Sequence, residues 1–275
     1  MLLAVGVSET AVEMSAVRSA LGRVATELCA LLESASSPGV TIPHSEWNIG
    51  DVAVHIALGT ESYVDYVSGR TEPFLDVSDI AGGTLARTSA TRLCEEPERD
   101  VPTLARRLRT ASTILLEQTA GRSGDEMVVW HGQPVALADM LGIGLAEYLL
   151  HGRDIARALS RPWRIRPADA RLVLAAELPM LHLLVNPVTT AGVHASYDLR
   201  VRGGTRVSVT IDDGALAVGG DGESVDCHVS ADPVALLLVA YGRRSQWVPI
   251  LTGRLVAWGR KPWLGVRLVR YLVAP

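Results

Sequence analysis

The chain holds a single phenylalanine in 275 residues, and all aromatics together make up 5% of it. Nucleic-acid surfaces stack bases on aromatic rings and neutralise phosphates with lysine and arginine. With few aromatics and a formal net charge of -4, no nucleic-acid partner is expected. Cysteine is scarce too. Cys29, Cys94 and Cys227 lie far apart and form no C-x-x-C pair, which excludes a disulfide framework and fits a reducing compartment. No stretch approaches the roughly 18 uninterrupted apolar residues of a membrane span. The opening MLLAVGVSETAVEM lacks a basic start, and its apolar run is short for a secretory signal. The expectation is a cytoplasmic protein with no membrane partner. There is no G-x-S-x-G elbow for a serine nucleophile, and the isolated Gly-Gly pairs make no phosphate loop.

What is present suits a soluble, globular chain. Hydrophobic residues make up 48% and charged residues 20%, enough for a real core in one large or two ordinary domains. The first part reads as helices: an amphipathic run from Ser8, a plausible N-cap, to Glu33; a second from Asn48 or Asp51 to about Gly69; a third over Val101 to Thr119; and a fourth from Leu137 to about Leu159. Between the second and third, Arg70 to Glu98 reads as a long loop with room for a short helix. GRSGDEMVVWHGQPVAL reads as a turn, an extended piece and another turn. Pro162 and Pro167 mark a boundary, and Ala168 to Leu184 reads as a connector helix. The character then changes. YDLRVRGGTRVSVTIDDGALAVGG alternates apolar and polar residues around Gly-Gly and Asp-Gly turns, a hairpin signature. VDCHVSAD and RLVAWG read as further strands, ADPVALLLVAYG as a helix entered at Asp232 with Pro233 in its first turn, and KPWLGVRLVRYLV as a terminal helix. The fold class is therefore α+β in two domains, with boundaries at 1–165, a connector at 166–189, and 190–275.

The fourth helix contains an anomaly. In LAEYLLHGRDIARAL, Glu147, His151 and Asp154 stand at i, i+4 and i+7, on one face of an otherwise apolar segment. Burying them is costly unless something pairs them. Glu147 and His151 can grip one ion from the same side, since carboxylate oxygen and imidazole nitrogen are ordinary ligands of divalent first-row metals. His55, amid the apolar residues of WNIGDVAVHIALG, is the best third ligand. Two histidines and a glutamate with an open fourth position make a catalytic rather than a structural site. Asp154 could orient a ligand from behind. The plainer alternative is an intrahelical Glu147–His151 pair with a hydrogen-bonded core histidine at position 55; periodicity alone leaves both open.

The segments WNIGDVAVHIA and LAEYLLHGRDIARAL, with VVWHGQPVALADML before the second, resemble the signature helices of the DinB-like up-down four-helix bundles, in the branch containing mycothiol-dependent maleylpyruvate isomerase. The resemblance spans about Val12 to Leu159. The matching positions are Trp47, Asp51 and His55 in one block and Glu147, His151, Gly152, Asp154 and Ala156 in the other. It implies a metal held by His55, Glu147 and His151, mycothiol as thiol cosubstrate, and an actinobacterial cytoplasm. Zinc is the first expectation, although nickel, iron and manganese accept the same ligands. A metal-held thiolate would attack a small electrophile. Adding to a double bond, letting it rotate and leaving gives isomerisation; staying attached gives S-transfer. The region from about Thr190 on, through TIDDGALAVGGDGESVDCHVSADPVALLLVAYGRR and LTGRLVAWGR, more loosely resembles a small α+β sterol-carrier-type domain with an apolar tunnel.

Substrate carboxylates would need arginine clamps, for which Arg243, Arg244 and Arg254 are candidates, although for any one of them the plainer reading, a solvated surface arginine, outweighs it. Arg153 should turn away from the metal face. His44 and His131 are expected in exposed turns, His228 within a strand, Cys29 in the core and Cys94 in a loop. Trp247, Trp258 and Trp263 are expected to pack in the core rather than line a pocket. An apolar face on the first or third helix could pair two copies into a homodimer. Two other readings compete with the enzyme: a non-catalytic binding protein carrying an apolar ligand in its C-terminal domain, and a regulatory interaction protein without turnover.

Overall fold

Helix α1 (Met14–Glu33) is closed at its start by Glu13, whose carboxylate accepts from the Ser15 and Ala16 amides. An acidic side chain there caps free N–H groups and meets the positive end of the helix dipole. The computed structural model describes residues 12–70, 83–219 and 224–273; Ser8 lies outside them. Helix α2 (Ile49–Val67) begins with a capping box. The Asp51 amide donates to Asn48 Oδ1 at 3.0 Å, and the Asn48 amide donates to Asp51 Oδ2 at 3.1 Å. Arg99 Nε also donates to Asp51 Oδ1 at 3.1 Å, anchoring the start of α2 to the segment before α4. Helix α3 (Thr84–Glu95) lies within the stretch read as mainly loop. Helix α4 (Val101–Gln118) is entered at Asp100, which accepts from the Thr103 amide, with Pro102 in the first turn.

A hairpin of β1 (Met127–Trp130) and β2 (Gln133–Ala136) follows. His131 and Gly132 turn it with φ of 46° and 78°, the doubly left-handed geometry of the tightest hairpin turns. His131 does not stand free in solvent as expected. Its Nδ1 lies 3.0 Å from Tyr66 Oη and its ring packs on Trp130; burial pulls its pKa down to about 4. The long α5 (Leu137–Ala158) completes the bundle. Helices α1 and α2 each pack along both α4 and α5. In the core, Tyr148 Oη on α5 meets Thr60 Oγ1 of α2 at 2.9 Å and Ser112 Oγ of α4 at 3.0 Å, so one buried hydroxyl network ties three helices together.

The chain divides into two compact units, one built from the described residues of Val12–Val77 and Thr84–Ile165, the other chiefly from those of Arg166–Pro275. The second contains α6 (Pro167–Glu177), a 3-10 turn over Leu178–Leu184, α7 (Pro187–Thr190), β3 (His194–Val201), β4 (Arg206–Asp212), β5 (Ala215–Gly219), β6 (Cys227–Ala231), α8 (Pro233–Ala240), α9 (Trp247–Leu251), β7 (Leu255–Trp258) and α10 (Leu264–Arg267). The terminal helix expected from the sequence is thus only α10 and a closing 3-10 turn over Leu268–Tyr271. Helix α6 packs on α8 within this unit. The sheet order is β5-β4-β3-β6-β7, with β3 and β6 parallel and the other pairs antiparallel. The architecture is α+β, a helical region followed by a sheet domain.

One sheet face carries the core: Tyr197, Val209, Ile211, Cys227 and Val229 are buried together with Leu264. The tryptophans do not join it. Trp247, Trp258 and Trp263 are all exposed, which corrects the expectation of core packing: Trp258 alternates onto the opposite sheet face, where it stacks on His228 and lies under Arg200.

On that opposite face Asp198 is buried, and its carboxylate accepts from Arg200 Nε at 2.7 Å and Arg206 Nε at 2.8 Å, with His228 Nδ1 at 2.7 Å. Burial alone would raise its pKa, but these three partners pull it well below the usual carboxylate range. A depressed folded-state pKa stabilises the fold fully above the unfolded value of about 4 and ceases to do so as pH falls through the folded value. Asp198→Asn should therefore cost about 2 kcal/mol at neutral pH, and the gap from wild type should narrow steadily below about pH 4; urea unfolding across that range measures both.

Candidate metal centre

Glu147 and His151 stand one turn apart on α5, and α2 lies alongside with His55. The three side chains converge. Glu147 Oε2 is 3.1 Å from His55 Nε2 and 3.2 Å from His151 Nε2. The imidazoles meet edge to face with centroids 4.9 Å apart. All three ligand atoms lie within 4.8 Å of one another, the one such grouping of three or more potential ligands among the described residues. Bonds of about 2.1 Å in a tetrahedral site put neighbouring ligand atoms about 3.4 Å apart, so the observed spacing fits an ion bound by these residues. Burial would push the Glu147 carboxyl up, but hydrogen bonds to His151 and His55 hold it well below its ordinary range. It is thus an anion at neutral pH, as a ligand must be. The site is not sealed: Glu147 keeps about a third of its side chain exposed (35%), leaving a side from which a small molecule can approach.

Trp47, just ahead of the α2 capping box, walls the site. Its ring centroid is 5.2 Å from His55 and 6.4 Å from His151, nearly parallel to the latter. Asp51 serves the fold rather than the ligands, since its carboxylate is taken up by the Asn48 amide and Arg99. Asp154 lies outside the grouping and pairs with Arg153 at 3.6 Å. Arg243, Arg244 and Arg254 belong to the sheet unit; Arg243 donates to the Tyr241 carbonyl at 2.9 Å and lies over that ring.

Sequence reasoning missed Trp163. Its indole N–H donates to the Leu149 carbonyl at 3.0 Å, and its ring lies flat against Gly152, where an added Cβ would come within 2.2 Å of it. The glycine after His151 is therefore required by packing. The only sequence signal was an aromatic residue soon after a helix that carries an interior glycine.

A helical bundle that converges two histidines and a glutamate from facing helices, followed by an α+β domain, defines a recognisable class. Residues 18–156 match the model of the mycothiol maleylpyruvate isomerase N-terminal domain, and the chain belongs to that family. Two solved structures share the fold across both regions. One is mycothiol-dependent maleylpyruvate isomerase in a histidine-to-alanine mutant form, at 12% identity and a TM-score of 0.53; the other is the same enzyme without that mutation, at 11% and 0.51. Each alignment covers 89% of this chain and 92% of the other. No curated protein matches the chain by sequence.

The packing of Trp163 gives a direct test. Gly152→Ala should destabilise the fold by about 1–3 kcal/mol through overpacking, whereas Gly152→Ala combined with Trp163→Leu should recover part of that loss; thermal unfolding of the single and double variants decides it.

Proposed function

We propose that this chain is a divalent-metal-dependent thiol enzyme of the mycothiol-using type, acting on a small electrophile by isomerisation or S-transfer. The convergence of His55, Glu147 and His151 carries this reading, and family membership supports it. Zinc is the first metal to test, because imidazole and carboxylate ligands with an open position suit it. A divalent ion held by these three side chains would favour a bound thiol as thiolate near neutral pH.

The chain's own residues prepare that chemistry in three ways. Glu147 supplies the negative charge. Its hydrogen bonds to both imidazoles hold the two rings in place before anything binds, so little ordering remains to be done on binding. Trp47 shields one flank with an apolar wall, which lowers the local dielectric and strengthens charge interactions inside. The exposed flank of Glu147 leaves a route for thiol and electrophile. We further propose that the helical region 1–165 and the region 190–275 are separate domains, the latter of sterol-carrier type, with 166–189 connecting them, and that the enzyme works in the cytoplasm.

The test is metal content by mass spectrometry on purified wild type, His55→Ala and His151→Ala. About one equivalent in wild type and a loss of at least tenfold in metal affinity in either variant are expected. Assays with mycothiol and a cis-unsaturated diacid such as maleylpyruvate should then separate an isomerised product from a stable thioether. A wild type that contains no metal and takes none up would sink the proposal.

A further inference from the structure

Exposed apolar side chains are unevenly distributed. Of the nine large exposed hydrophobics among the described residues, six fall in the stretch from Trp247 to Trp263. Three of them share α9. Pro249 is buried and Ile250 packs toward the sheet core, so this short helix is fastened on one side. Its other side presents Trp247, Val248 and Leu251, which are 54%, 52% and 84% exposed. Strand β7 contacts α9, but its exposed Val256 and Trp258 lie on the sheet face opposite the core and are not part of the α9 face.

The charge along this stretch of sequence is one-sided. From Tyr241 to the end the sequence has seven arginines and lysines and no aspartate or glutamate, in a chain whose net charge is -4. Arg243 and Arg244 precede α9, and exposed Arg254 follows it by three residues. Arg260 and Lys261 are partly neutralised by Asp226, at 3.0 and 3.2 Å.

We propose that α9 and its flanking arginines form a docking surface for an anionic lipid bilayer. A bulky apolar helix face bracketed by arginines suits the water–lipid boundary, where tryptophan favours the headgroup level, aliphatic side chains enter the acyl region and cations meet lipid phosphates. Charge selects this occupant over the alternatives. A second copy placed on the same face would set like charges against each other across a two-fold contact. A nucleic acid would satisfy the arginines, but this face offers one ring, Trp247, beside the aliphatic Val248 and Leu251, and so no platform on which successive bases could stack. The patch shares no residue with the metal centre, so docking and chemistry can be tested apart.

The experiment is co-sedimentation of the full chain with vesicles of equal phosphatidylglycerol and phosphatidylcholine, and with phosphatidylcholine alone. Binding to the anionic vesicles, reversed at about 0.5 M salt and weak on the neutral ones, is expected. Trp247→Ser with Leu251→Ser should weaken it at least tenfold, and Arg254→Glu at least about fivefold, the effect of one charge near such a surface. Both variants alter exposed side chains and should keep the wild-type melting temperature. No sedimentation with anionic vesicles would overturn the proposal. So would equal binding by the double variant, a dimer that Leu251→Asp dissolves, or tighter retention on a single-stranded oligonucleotide than on vesicles.

Discussion

One carboxylate shared by two imidazoles organises the helical unit. Glu147 sits on α5, whose surroundings are almost wholly apolar, and its negative charge would be expensive there without partners. His151 reaches it from the next turn, but His55 reaches it only because α2 lies against α5. The packing of those two helices is therefore a condition of the site as well as of the core. The Tyr148 hydroxyl network ties the same pair one residue along from Glu147. A slip of α2 by one turn, about 5.4 Å, would leave the carboxylate with His151 alone and Tyr148 without its Thr60 partner.

The entry to α2 fixes that register. Asn48 and Asp51 satisfy each other's amides, and Arg99 reaches Asp51 from the segment before α4. Position 55 is one turn beyond Asp51, and Trp47 stands immediately before the cap. The W-x-x-x-D-x-x-x-H pattern thus combines three physical jobs at four-residue spacing: an aromatic wall, a helix start and a metal-type ligand. The second block divides likewise, with Glu147 and His151 facing the site and Gly152 yielding its face to Trp163.

Much of this was legible because helical periodicity is local. The i, i+4 placement of Glu147 and His151 needs only the helix, and the start of α2 near Asn48 or Asp51 follows from residue chemistry. That His55 meets them does not follow from spacing, since it depends on which helices are neighbours; family resemblance supplied it. Three other features depended on tertiary context. His131 reads as an exposed turn residue until Tyr66 and Trp130 are folded over it. The three C-terminal tryptophans read as core because tryptophan usually is, yet the alternation of β7 turns Trp258 outward, and the inward pair Pro249 and Ile250 turns Trp247 outward. Asp198 looked like one polar position in an alternating strand, but beside Arg200 on its own strand two of its partners come from β4 and β6, strands whose register no local pattern states.

The two units place their charged groups to opposite effect. In the helical unit one carboxylate answers two imidazoles, converging on a small space beside an indole, which concentrates ligand atoms where a single ion could lie. In the sheet unit Asp198 and Asp226 each answer several cations across strands or turns, which uses charge to hold backbone segments together. The difference lies in what remains to be satisfied. Asp198 is closed off by its partners and has only 4% of its side chain exposed, so it has no capacity left for a ligand. Glu147 retains an exposed flank beside two nitrogens that can give up their hydrogen bonds to it in exchange for coordination. Residual accessibility, more than the residue types themselves, separates a site from a staple in this chain.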